Sequence, residues 1–83
     1  MGLAMPRYYF PATDGKRNVA DDGGLILGSH EAARREARAI AAELLNAGDE
    51  RAAEAWRGWR IQVLDASGDL ISEIPLADVA QSH

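Results

Sequence analysis

The sequence contains no cysteine, which removes disulfides and thiolate zinc sites together. The same absence fits a reducing compartment. Long apolar runs are missing too. Nothing approaches the roughly 18 apolar residues that a membrane span needs, and Met1 to Arg7 lacks the apolar centre of a signal peptide. These absences predict a soluble, cytoplasmic protein with no membrane partner. Histidine is scarce, with only His30 and His83. Neither a Ser-His-Asp arrangement nor a His-x-x-x-His spacing can be built from them. No catalytic, cofactor-binding or metal-ligating residue is therefore expected, and the chain reads as something other than an enzyme.

What is present fits one small domain, because 83 residues leave no length for two independent cores. A chain of this size buries only about 60% of the surface its unfolded form exposes. Small domains without disulfides or metals often add a partner subunit, so a homo-oligomer, a dimer first, is the expected state. The net charge is −4, unlike the basic footprint of a general nucleic-acid binder. Charge is also unevenly placed. Arg7, Lys16 and Arg17 make the front basic, whereas Asp65, Asp69, Glu73 and Asp78 follow Arg60 with no further lysine or arginine.

Local signals give an α+β order of hairpin, helix, hairpin. Arg7 to Ala12 is an aromatic strand between Pro6 and Pro11, with Tyr8 and Phe10 on one face and Tyr9 on the other. Pro11 has no ladder donor, so the strand is expected to end near it or to have an open edge there. Asp14-Gly15 supplies a turn, and Arg17 to Ala20 returns. Asp21-Asp22-Gly23-Gly24 breaks the chain before an apolar extended piece at Leu25 to Leu27. Ser29 is a good helix N-cap, and Ala33, Ala37, Ile40, Ala41 and Leu44 fall on one face at spacings of three and four. Gly48 suits the helix stop, and Asp49 to Trp56 suits a further turn or two. Trp59, Ile61 and Val63 alternate with polar neighbours as a half-buried strand. Asp65 to Gly68 is a type I turn, and a return strand ends near Pro75. The predicted fold is ββαββ: a small, mostly antiparallel four-stranded sheet from two hairpins, in order 2-1-3-4, with one long helix on one face. Residues 1–4 read as a flexible extension, 5–78 as the domain and 79–83 as a frayed end. Met1 and Met5 both stand as candidate starts.

The opening "MPRYYF", the following "DG", the step "DDGG", the helix "SHEAARREARAIAAELL" and the closing "IQVLDASGDLISEIPL" together resemble a family of short bacterial proteins. That family is largely alphaproteobacterial and is known only as a domain of unknown function. The resemblance spans about Met5 to Leu76. It rests on the order of these stretches, since no single motif is strong. Pro11 departs from the family pattern, in which a histidine or another strand-compatible residue is common. The resemblance supports the fold and implies no activity, cofactor or site residue.

Each chemical signal has a plainer structural reading. His30 beside Glu31 has the residue types of a general base, but it stands in the first turn of a helix, where exposure is the ordinary state. Asp14, Asp21 and Asp22 carry oxygen ligands for a hard cation, yet lack the EF-hand spacing and suit turns. Gly23, Gly24 and Gly28 lack the lysine and the spacing of a phosphate loop. A single helix cannot cover both faces of a sheet. The uncovered face, with Tyr9, Leu64 and Ile71, and the tryptophan Trp56 are therefore the candidate interface. The leading expectation is a module that self-associates or binds a protein through that face. The alternative is a small nucleic-acid-binding or antitoxin-like regulator using Arg7, Lys16 and Arg17, supported by Arg34, Arg35 and Arg38. One exposed tyrosine in an acidic chain makes a poor base-stacking platform.

Overall fold

Residues 7–13 run as one extended segment that a proline divides. The structure, a computed structural model, describes residues 6–46 and 56–81. Its elements are β1 (Arg7–Tyr8), β2 (Ala12–Thr13), β3 (Asn18–Val19), β4 (Leu25–Ile26), α1 (His30–Asn46), β5 (Arg60–Leu64), β6 (Leu70–Pro75) and α2 (Leu76–Gln81). Tyr9 bridges Leu64, Ala12 pairs Ile61 and Thr13 pairs Arg60. These three pairs share one antiparallel register, so the segment keeps its place against β5 throughout. Pro11 costs the ladder one donor: the Gln62 amide still donates to the Pro11 carbonyl at 2.8 Å, and no reciprocal bond is possible. Pro11 thus sits inside the sheet and not at an open edge.

The other side of that segment carries the interruption. Ala12 pairs Val19, whereas Tyr8 pairs Leu25, so β3 and β4 flank the same segment in registers two residues apart. The break at residues 20–24 absorbs the difference. Asp21 fills the gap that it leaves. Its Oδ2 accepts the Phe10 amide at 3.0 Å and its Oδ1 accepts the Gly24 amide at 3.3 Å. Gly24 has φ +64, and a Cβ there would stand 2.6 Å from the Tyr8 carbonyl. Only glycine fits that approach without strain.

The four-stranded sheet has the order β3-β2-β5-β6, and β1 and β4 form a second, two-stranded sheet. The hairpin order expected from the sequence is therefore present. The addition is β4, which pairs back on β1 and does not stand alone before the helix. Helix α1 begins as read: the Ala32 amide donates to Ser29 Oγ at 3.0 Å, as an N-cap requires. Ala33, Ala37 and Ala41 are fully buried and bring the helix close to Ile61, Val63 and Ile74. Tyr8, Phe10, Leu76 and Val79 complete the core.

The C-terminal boundary is later than the sequence suggests. Pro75 ends β6 as expected, but the chain continues as α2 to Gln81, with Leu76 and Val79 in the core. The three- and four-residue spacing of apolar side chains is too short there to stand out against an acidic tail. Residues 1–4, Met5, the helix stop at Gly48, most of the Asp49 to Trp56 stretch, and residues 82–83 lie outside the described residues. Among the described residues, no helix is long and apolar enough to cross a membrane.

Candidate functional site

Alternation along 7–13 and 60–64 puts Tyr8, Phe10, Ala12, Ile61 and Val63 under α1 and turns Tyr9, Leu64, Gln62 and Arg60 to the opposite face. Tyr9 and Leu64 meet there. Each amide donates to the other's carbonyl at 2.9 Å, and both side chains are half-buried. The Tyr9 ring lies over Gly24, whose Cβ would come within 3.0 Å of two ring carbons. Ile71 sits where β6 shifts register beside Leu64 and packs half-buried against the core. Trp56 is also half-buried against the core, edge-to-face with Trp59 at 5.2 Å between ring centroids.

Polar side chains stand beside Tyr9 and Leu64 on this face. Arg60 Nε donates to Glu73 Oε2 at 2.9 Å, and Gln62 Nε2 donates to the same oxygen at 3.3 Å. The polar atoms of these three side chains stay in water while their stems lie on the sheet.

Exposed apolar surface gathers instead at the outer edge. Val19 is 55% exposed, Leu25 42% and Ile26 52%. Helix α1 packs chiefly over β5 and β6, and Val19 and Leu25 stay exposed although they share its side of the sheet. Ile26 pairs Arg7, which places it on the open face diagonally beside Tyr9. The Leu27 amide donates inward to the Pro6 carbonyl at 3.1 Å. Backbone direction alternates along a strand, so the N–H and C=O of Ile26 point outward. The sequence predicts Leu25 to Leu27 as an extended piece without a partner strand, and the structure supplies β1 as that partner. Its unbroken apolar run was the available signal.

The basic residues do not converge. Arg7 Nη1 donates to the Gly23 carbonyl at 2.6 Å, at the far end of the segment from Lys16 and Arg17. Those two occupy the β2–β3 loop, where Arg17 lies 3.8 Å from Asp14. The amides of Arg17 and Lys16 donate to Asp14 Oδ1 at 2.6 and 2.8 Å. These bonds hold the Asp14 carboxyl below its usual range. His30 is exposed, its ring edge-to-face on Tyr8 at 5.8 Å. Asp21 is spent on backbone amides and Asp14 on its own turn. Among the described residues, no three His, Asp or Glu side chains are grouped as a metal site requires.

No curated protein and no solved structure matches this chain. Residues 7–77 match one family over nearly the span at which the sequence resembled a domain of unknown function. On that match, the chain belongs to the family described as Domain of unknown function (DUF6894).

Proposed function

We propose that this protein is a non-catalytic association module that pairs with a second copy of itself along the outer β3–β4 edge. One observation carries the reading. Of the four exposed large hydrophobic side chains among the described residues, Val19, Leu25 and Ile26 lie on this edge. The edge also offers the outward backbone groups of Ile26. Unpaired edges invite strand addition unless lysine, proline or a covering element blocks them. Between Asn18 and Leu27 the only outward charge is Asp22. Tyr9 and Leu64 continue the patch from Ile26 across the open face.

A two-fold dimer uses the same patch twice. Covering each half-exposed aliphatic side chain contributes on the order of 1 kcal/mol. Six of them, less the cost of association, fit a dimer that forms and dissociates with concentration. The cysteine-free composition suits such a module to the cytoplasm.

The test is native mass by light scattering on a sizing column over a roughly hundredfold concentration range. The expected result is a mass approaching twice 8.9 kDa at the upper end, with monomer at all concentrations for Val19→Lys/Ile26→Lys. A native chain that stays monomeric throughout removes the reading. The nucleic-acid alternative has less support, because Arg7 stands apart from Lys16 and Arg17. It would show as binding that falls steeply with salt, and filter binding at background in low salt disposes of it.

A further inference from the structure

At the opposite edge of the sheet, one flank of α1 (Arg34, Arg35 and Arg38) faces residues 72–75 of β6 across a groove of about 410 Å³. β6 is the last strand in the order, so no strand of this chain lies beyond it among the described residues. Its backbone direction follows from its neighbour. The amides of Gln62 and Leu64 donate to Pro11 and Tyr9, which turns Ile61 and Val63 toward their β6 partners Ile74 and Ser72. Glu73, between those partners, therefore presents its N–H and C=O outward, into the groove.

The acidic side chains of the groove are already engaged. Glu31 lies 3.7 Å from Arg35, and Glu73 is held by Arg60 on the open face at 2.9 Å. Asp78 is not free either. Arg34 and Arg38 are exposed and have no carboxylate partner among the described residues. They stand four residues apart on one helix flank, about 6 Å along the axis. Alternate residues of an extended strand are separated by nearly the same distance, roughly 6.6 Å.

We infer that this groove binds an extended acidic peptide, which adds as a strand beside β6 and places carboxylates at alternate positions against Arg34 and Arg38. The match of helix and strand repeats sets the motif, an acidic residue at every second position. Backbone pairing with Glu73 sets the class of ligand. The outward carbonyl needs an N–H donor repeated along the ligand, which a peptide has and a phosphodiester backbone lacks. Strand addition of this kind takes affinity from main-chain bonds and selectivity from the side chains that alternate.

Fluorescence anisotropy on the full chain tests this with a short labelled peptide in which glutamate alternates with threonine. A second peptide has the same composition with its glutamates in one block, and a third has N-methylated amides on the pairing edge. The alternating peptide is expected to bind, and the other two to bind several-fold more weakly. Arg34→Glu/Arg38→Glu should weaken the alternating peptide roughly tenfold, with far-UV circular dichroism unchanged because both side chains are exposed. Arg17→Glu, outside the groove, should leave binding within about twofold. No binding of the alternating peptide overturns the inference, as does equal binding of the blocked peptide. So does a labelled single-stranded oligonucleotide that binds more tightly than the peptide and loses that binding in the same double variant, because the groove would then be a phosphate surface. None of these outcomes depends on whether the β3–β4 edge dimerises.

Discussion

The two edges of the sheet solve the same problem by opposite means. Among the described residues, both leave outward peptide groups without a neighbouring strand. The β6 edge is flanked by charge: Pro75 ends it, Arg60 and Glu73 lie across its face, and the arginines of α1 stand beside it. Among the described residues, the β3–β4 edge has no such charged flank. It is interrupted at residues 20–24, and there Asp21 acts in place of a strand, accepting the amides of Phe10 and Gly24. On either side of that clip the apolar side chains Val19, Leu25 and Ile26 remain in water. One edge is thus flanked by charged side chains, and the other by exposed apolar ones.

The largest effect should come from the residue that shapes the β3–β4 edge. Gly24→Ala forces a side chain onto a backbone at φ +64 with a Cβ 2.6 Å from a carbonyl oxygen. It should lower the unfolding free energy by about 3 kcal/mol in a urea titration, combining left-handed backbone strain with the steric conflict. Asp21→Ala comes next. It leaves the Phe10 and Gly24 amides without their acceptor and should cost about 1–2 kcal/mol in the same titration. At the other edge, Glu73→Gln removes a more exposed ion pair and should cost less than about 1 kcal/mol. If Glu73→Gln proved the more damaging of the two, the contrast between the edges would be reversed.

The smallest effect is one of pH, at the loop joining β2 to β3. Amide donors from Arg17 and Lys16 favour the charged form of Asp14, so its carboxyl titrates below the ordinary 3.8 in the folded chain. A group depressed on folding stabilises the folded state above its unfolded value and loses that contribution as the pH falls through the folded one. In acid titrations followed by circular dichroism, the native chain should therefore lose stability more steeply below pH 3.8 than Asp14→Asn does. Equal slopes would mean that the turn carries no protonation-linked stability.

The legible parts of this fold were the local ones. Ser29 as cap, the Ala33–Ala37–Ala41 stripe and the turns at Asp14-Gly15 and Asp65 to Gly68 each rest on residues a few positions apart. Such signals survive whatever the rest of the chain does. The pairing of β4 with β1 was hidden because it depends on residues 17 to 19 positions apart and on a carboxylate, Asp21, that looks like any turn aspartate. The exposed apolar side chains of the β3–β4 edge were hidden for a related reason. Alternation assigned Tyr9 and Leu64 correctly to the open face. It could not say that Arg60, Gln62 and Glu73 would stand beside them, or that α1 would sit chiefly over β5 and β6 and leave Val19 and Leu25 exposed.

The most direct test of the edge as a self-association surface is amide exchange at Ile26, measured at low and high protein concentration. Its N–H points away from β1, and no further strand pairs it there among the described residues. Pairing with a second copy should slow its exchange markedly as concentration rises, while buried amides such as that of Val63 stay equally protected. Fast exchange at Ile26 under conditions where the native mass is that of a dimer would contradict the account and move the contact to another surface.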